Sequence, residues 1–215
     1  RMFRTFVPVD QIAQTALSFQ WDDWDPYAAV GNPASERVDI LGFYADRALV
    51  GYATACAEWV TYRFSKLSDD ETPYRFLEAL WVYGVDPRYM PPPESNEDEW
   101  KGPVRGPIDL ALMTVLNTIA STDDGKPEVD AALAEQIAWH VVDDKSLFVT
   151  WRDQCQQRLT PYYPRSLQRE KAGGLAPQWF DLQVDPAQNP SFATEFLRSV
   201  DWNENAFVRY QHPLR

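Results

Sequence analysis

The sequence predicts an all-α fold: an irregular bundle of about seven or eight helices, interrupted by one long acidic, proline-rich loop. Three observations carry that expectation. Apolar residues recur at three- and four-residue spacing along most of the chain. Capping residues followed by proline mark several helix starts. No segment shows the sustained apolar-polar alternation of a half-buried strand.

Asp10 reads as the N-cap of a short first helix with Ile12, Ala16 and Phe19 on one face. That helix runs into an aromatic and acidic knot, Trp21-Asp22-Asp23-Trp24-Asp25-Pro26-Tyr27. Asn32-Pro33 announces the second and longest helix, whose stripe of Val38, Leu41, Ala45, Ala48, Leu49, Tyr52, Ala55, Cys56 and Trp59 continues to Phe64. Within it Ala45, Ala48, Gly51 and Ala55 form a seam of small residues that suits the close approach of a neighbouring helix. Thr72-Pro73 opens a third helix carrying Phe76, Leu77, Leu80 and Trp81, with Gly84 as its stop.

From Asp86 to Pro107 the chain breaks into prolines and acids, among them Pro91-Pro92-Pro93, Glu94, Glu97, Asp98 and Glu99, followed by Trp100, Gly102-Pro103 and Gly106-Pro107. Proline removes a donor and glycine loosens the backbone, so this stretch reads as a surface loop. A fourth helix follows with Ile108, Leu112, Val115, Leu116 and Ile119. A fifth starts near Pro127 with Val129, Leu133, Ile137 and Val141, and a sixth near Ser146 with Phe148, Trp151, Cys155 and Leu159. Pro161, Pro164, Gly173-Gly174 and Pro177 then interrupt the pattern until Asn189-Pro190 caps a last helix bearing Phe192, Phe196, Leu197 and Val200. The expected organisation is a bundle over residues 1–160 with an extension over 161–215 packed on the same domain.

Of the 215 residues 45% are hydrophobic and 14% aromatic, enough to build a core despite a formal charge of −12. The charge is uneven. Residues 1–144 hold 25 Asp and Glu against 11 Lys and Arg, a net of −14, whereas residues 145–215 hold 7 against 9, a net of +2. Such a field disfavours nucleic acid and anionic membrane, and favours a basic protein partner. No stretch approaches the roughly 20 apolar residues that span a bilayer, and the cytoplasm is the expected compartment. Cys56 and Cys155 lie on apolar helix faces and are read as buried free thiols.

Motif chemistry is sparse. His140 precedes Asp143 and Asp144 by three and four residues, so a carboxylate is expected to orient its ring, and His212 stands near the end of the chain. The spacing matches no zinc pattern, and no nucleophile elbow, phosphate loop or dinucleotide fingerprint occurs, so neither metal nor cofactor is expected. Glu58 and Glu78 on apolar helix faces remain candidates for a buried general acid.

The pattern that does carry chemistry is acids interleaved with aromatics in loops. Asp22, Asp23 and Asp25 alternate with Trp21, Trp24 and Tyr27; Glu94, Glu97, Asp98 and Glu99 precede Trp100; Asp69, Asp70 and Glu71 precede Tyr74. Carboxylates bind arginine in two-point fashion and aromatic faces stack on guanidinium groups, so loops of this kind suit a basic protein surface. The competing reading turns each tryptophan inward and leaves the acids solvated.

The segments YATACAEWVTYRF (52–64), FLEALWVYGVDPRYM (76–90) and GPVRGPIDLALM (102–113) resemble bacterial immunity proteins, including those that neutralise toxins delivered by type VI secretion. The resemblance covers about the first 120 residues. It implies an acidic, helical protein that binds and neutralises a cognate toxin, and it assigns no role to a particular residue. With the acidic, aromatic loops, the expectation is a non-enzymatic inhibitor that docks that face on a basic toxin or enzyme and blocks its active site. A small helical enzyme using buried carboxylates and a non-catalytic adaptor subunit are the alternatives.

Overall fold

A computed structural model describes residues 4–95 and 100–210. Among them are nine α-helices: α1 (Val9–Ile12), α2 (Pro26–Val30), α3 (Ser35–Leu41), α4 (Asp46–Arg63), α5 (Thr72–Val85), α6 (Arg105–Asp124), α7 (Pro127–Val141), α8 (Lys145–Leu159) and α9 (Asn189–Ser199). Two two-residue strands, β1 (Tyr89–Met90) and β2 (Arg209–Tyr210), pair antiparallel with Tyr89 opposite Tyr210. The fold is all-α, as the periodicity and caps predict.

Helix α4 is the spine, and every residue from Ala48 to Arg63 is buried. It is therefore covered around its whole circumference, which identifies a central helix, and its buried polar residues Thr54, Glu58, Thr61 and Arg63 all find hydrogen-bond partners. Helices α5, α6 and α7 pack around it. Its Trp59 contacts Phe148 and Trp151 of α8 at ring separations of 5.3 and 5.2 Å.

Several expected elements differ. The longest helix is α6, with 20 residues against 18 in α4, and it begins at Arg105, inside the stretch up to Pro107 expected to be loop. The long second helix is broken into α3 and α4 at residues 42–45, because that turn pairs with a distant segment. The Ala45 amide donates to the Tyr163 carbonyl at 2.9 Å, and the Arg165 amide donates to the Phe43 carbonyl at 2.8 Å. The Tyr44 hydroxyl donates to the Gln156 carbonyl at 2.9 Å. The first helix stops at Ile12, so Ala16 and Phe19 belong to a non-helical segment, and Asp10 lies inside the first turn, with Pro8 as N-cap.

Residues 161–210 share the same core. Their 3₁₀ turns at Arg169–Lys171, Pro177–Phe180 and Pro186–Gln188 alternate with extended chain, and Leu175, Ala176, Trp179, Phe180, Phe192 and Phe196 are all buried. Part of the small-residue seam on α4 receives this segment instead of a helix. A Cβ on Gly51 would lie 2.9 Å from Leu175 Cδ1 and 3.5 Å from Phe180 Cζ.

One buried polar knot ties four helices. Glu135 of α7 receives Nε and Nη2 of Arg37 (α3) at 2.8 and 2.7 Å, the Tyr52 hydroxyl (α4) at 2.6 Å and Gln156 Nε2 (α8) at 3.2 Å. Each donor offsets the cost of burying the carboxylate, so the knot is structural. Cys56 and Cys155 are buried free thiols, and burial pushes both well above the usual thiol range. Among the described residues no helix is long and apolar enough to cross a membrane.

Candidate functional site

The acidic-aromatic loops converge on the N-terminal turn of α6. Trp21 packs on Gly106, where an added Cβ would sit only 2.4 Å from the indole; a close approach of this kind requires glycine. Asp23 Oδ1 accepts from Trp21 Nε1 at 2.8 Å and from the Gly102 amide at 2.9 Å, which joins the loop of residues 21–25 to residues 102–106. Arg105 brings in the third loop, with Nη1 2.5 Å from Asp70 Oδ2 and Nε 2.8 Å from Asp109 Oδ1. The partial positive charge at a helix N-terminus and the Arg105 guanidinium explain why carboxylates gather here.

Each aspartate of the first loop shapes it. Asp22 Oδ1 accepts the Trp24 amide at 2.9 Å. Asp25 Oδ1 accepts the Ala28 amide at 3.1 Å and so caps α2, with Pro26 in the first turn. The second carboxylate oxygen of Asp22, Asp23 and Asp25 has no hydrogen-bond partner among the described residues and is left for an external donor.

The aromatics divide by position. Trp24 is 96% exposed and Tyr27 47% exposed. Trp21 and Trp100 are partly buried against the core, and Trp100 Nε1 donates to Ser95 Oγ at 2.9 Å. These two anchor the loops, and Trp24 projects from them. Glu94 is exposed and lines a cleft of about 170 Å³ with Arg105, Asp109, Phe76 and Met113. Glu97, Asp98, Glu99 and His212 lie outside the described residues.

The buried carboxylates are placed differently. Glu58 is fully buried and receives Thr5 Oγ1 at 2.6 Å and Trp81 Nε1 at 2.8 Å. Burial pushes its carboxyl up to about 8 even though these donors pull it down. Glu78 accepts from Asn205 Nδ2 at 2.8 Å, its Oε2 has no partner among the described residues, and burial pushes it up as well. Neither lines any of four clefts formed by the described residues. His140 Nε2 contacts the Gln20 carbonyl oxygen at 2.7 Å and its ring meets Phe19 edge-on, so a main-chain oxygen, not Asp143 or Asp144, holds the ring. Among the described residues no three His, Cys, Asp or Glu side chains converge on a metal-sized site.

Several site residues have signals that local reading passes over. Asp25-Pro26 is a capping residue followed by proline, the signature of the short α2. The roles of Gly102 and Gly106 and the pairing of Arg105 with Asp70 have no local signal, because Asp23, Trp21 and Asp70 lie 79, 85 and 35 residues away in the chain. No protein-family model, curated protein or solved structure matches this chain.

Proposed function

We propose that this chain is a non-enzymatic inhibitor of the immunity-protein kind, which neutralises a toxin by seating the acidic loop cluster at the start of α6 over a basic active site. Trp24 carries this reading. A 96% exposed tryptophan on a loop held by three aspartates leaves a large apolar face in water unless a partner covers it. Its flanking carboxylates each keep one oxygen for a guanidinium or ammonium group, and the indole face offers a stacking site for the same cation. The net of −14 over residues 1–144 adds long-range attraction for a basic partner.

The test is co-expression with the product of the neighbouring gene, followed by surface plasmon resonance across salt concentrations. A cognate toxin is expected to be neutralised in the cell by the wild type. Replacing Asp22, Asp23 and Asp25 together by Asn, which keeps the accepting oxygen and removes the charge, should lower the association rate most at low salt. Trp24→Ala should raise the dissociation rate and cost about 2 kcal/mol or more. A neutralising complex indifferent to salt and to both changes would move the interface elsewhere on the surface.

A further inference from the structure

Two adjoining clefts lie at the other end of α4 from the acidic loops. Arg47 stands in the first turn of α4 and Arg63 in the last, roughly 24 Å apart at 1.5 Å per residue. The pairing of residues 43–45 with 163–165 lays the chain from Arg165 to Ala172 beside that first turn. It creates a cleft of about 280 Å³ lined by Arg47, Arg165, Arg169 and Leu167. A second cleft of about 300 Å³, lined by Val50, Tyr83, Pro87, Thr122 and Asp123, shares Asp46, Arg47 and Arg169 with the first.

Three guanidinium groups in one recess are unusual for a chain of net charge −12, since each is repelled by the others and must be stabilised by something anionic. Three acids nearby, Asp46, Asp123 and Glu128, balance that charge, and all stand at 3.3 Å or farther. Arg165 stands 3.6 Å from Glu128, and Arg169 stands 3.6 Å from Asp46 and 3.3 Å from Asp123. Bidentate charge-assisted pairs sit at about 2.7 to 2.9 Å, as Arg37 and Glu135 do in this same fold. Arg47 makes no hydrogen bond or ion pair within 4 Å among the described residues, and Arg165 and Arg169 are 49% and 60% exposed. Arg169 already donates Nη2 to the Thr122 carbonyl oxygen at 3.1 Å and Nη1 to Asp123 at 3.3 Å. The free forks are therefore those of Arg47 and Arg165, with the Arg169 charge beside them, and such a set suits a tetrahedral oxyanion.

We infer that this double cleft binds a small phosphate ester, with the phosphate among Arg47, Arg165 and Arg169 and a ring-bearing body lying on Val50, Tyr83 and Pro87. The Asp46 and Asp123 carboxylates, at the junction and in the second cleft, accept hydroxyl groups from that body. The phosphate class follows from three guanidinium groups around one recess, two of them with free forks, and the ring-bearing body from the tyrosine and apolar wall beside it. This inference is independent of the inhibitor reading, because no residue of the acidic loops takes part.

Titration calorimetry on the whole chain, with inorganic phosphate and with adenosine monophosphate as probes, tests it. The nucleotide is expected to bind at least about tenfold more tightly than phosphate alone, and Arg47→Gln and Arg169→Gln should each weaken it about tenfold or more. Arg198→Gln, which removes the same charge from exposed α9, should leave binding unchanged. Far-ultraviolet circular dichroism checks that each variant is folded; the two groove variants are independent surface changes, so one suffices if the other is impaired. Absence of binding by either probe up to about 10 mM, or an equal loss in Arg198→Gln, overturns the site. Equal affinity for the two probes overturns the role of Val50, Tyr83 and Pro87.

Discussion

Arg63 donates Nη2 to the main-chain oxygen of Ala16 at 2.7 Å from a side chain with no solvent exposure. Its Nη1 serves the Gln14 oxygen and its Nε the Val141 oxygen, both at 2.8 Å, and Asp143 stands 3.7 Å away. In a helix through residues 10–19 the Gln14 carbonyl would accept from the Ser18 amide; here it and the Ala16 carbonyl accept from a guanidinium. The last turn of α4 therefore holds the segment that leads to Trp21.

Removing that guanidinium leaves three carbonyl oxygens without their donor. Arg63→Met should cost about 3 kcal/mol or more, read as a lower urea midpoint, together with faster proteolysis in residues 13–20. Arg63→Lys should recover little, because one ammonium cannot match the fork. A lysine variant as stable as the wild type would show that charge and not geometry matters.

Glu58 should make stability fall as pH rises. Its carboxyl is pushed up to about 8 in the fold against an ordinary value of 4.5, so between those values the folded state holds a proton that the unfolded chain has released. Its contribution is present in full below 4.5 and is lost as pH climbs towards 8, at up to about 1.4 kcal/mol per pH unit. Glu58→Gln lacks this titration. The stability of the wild type relative to Glu58→Gln should therefore be higher at pH 5 than at pH 8, and an unchanged difference between the two pH values would contradict a buried neutral carboxyl.

Trp24 and Trp21 should separate binding from folding. Trp24→Ala should change unfolding free energy by no more than about 0.5 kcal/mol, since the ring touches mainly water. Trp21→Ala removes the ring packed on Gly106 and should cost about 1 to 3 kcal/mol. Denaturant melts of both variants check this, and a large loss in Trp24→Ala would mean that the ring packs on the protein.

Gly106→Ala inverts the usual expectation for a helix. Alanine favours helix by about 1 kcal/mol over glycine, yet here its Cβ would fall 2.4 Å from the Trp21 indole. The ring has to leave, and with it the Asp23 link to Gly102. Near-ultraviolet circular dichroism should change in the tryptophan bands while far-ultraviolet helix content stays constant. Unaltered tryptophan signals would argue that Trp21 does not rest there.

Much of the fold is legible locally. Thr72-Pro73, Pro127 and Asn189-Pro190 fall in the first turns of α5, α7 and α9, and the stripe from Phe148 to Leu159 marks the inward face of α8. The exact helix boundaries are less so, since α5 runs past Gly84 to Val85, and α6 starts at Arg105, two residues before Pro107. The composition of the candidate site was visible as acids beside aromatics. Which tryptophan faces out was not, because Trp21, Trp24 and Trp100 have similar acidic neighbours in sequence.

Periodicity, caps and apolar content act over one or two helical turns, and they suffice for the all-α class, the central position of the segment ending at Phe64 and the burial of both cysteines. The break at residues 42–45, the non-helical course of residues 13–25 and the meeting of the acidic loops at α6 arise from long-range contacts. Each depends on hydrogen bonds across long stretches of chain: Ala45 with Tyr163, Arg63 with Ala16, and Asp23 with Gly102. A local pattern holds no record of such a partner, and a donor or acceptor satisfied from afar is released from the helix it would otherwise complete.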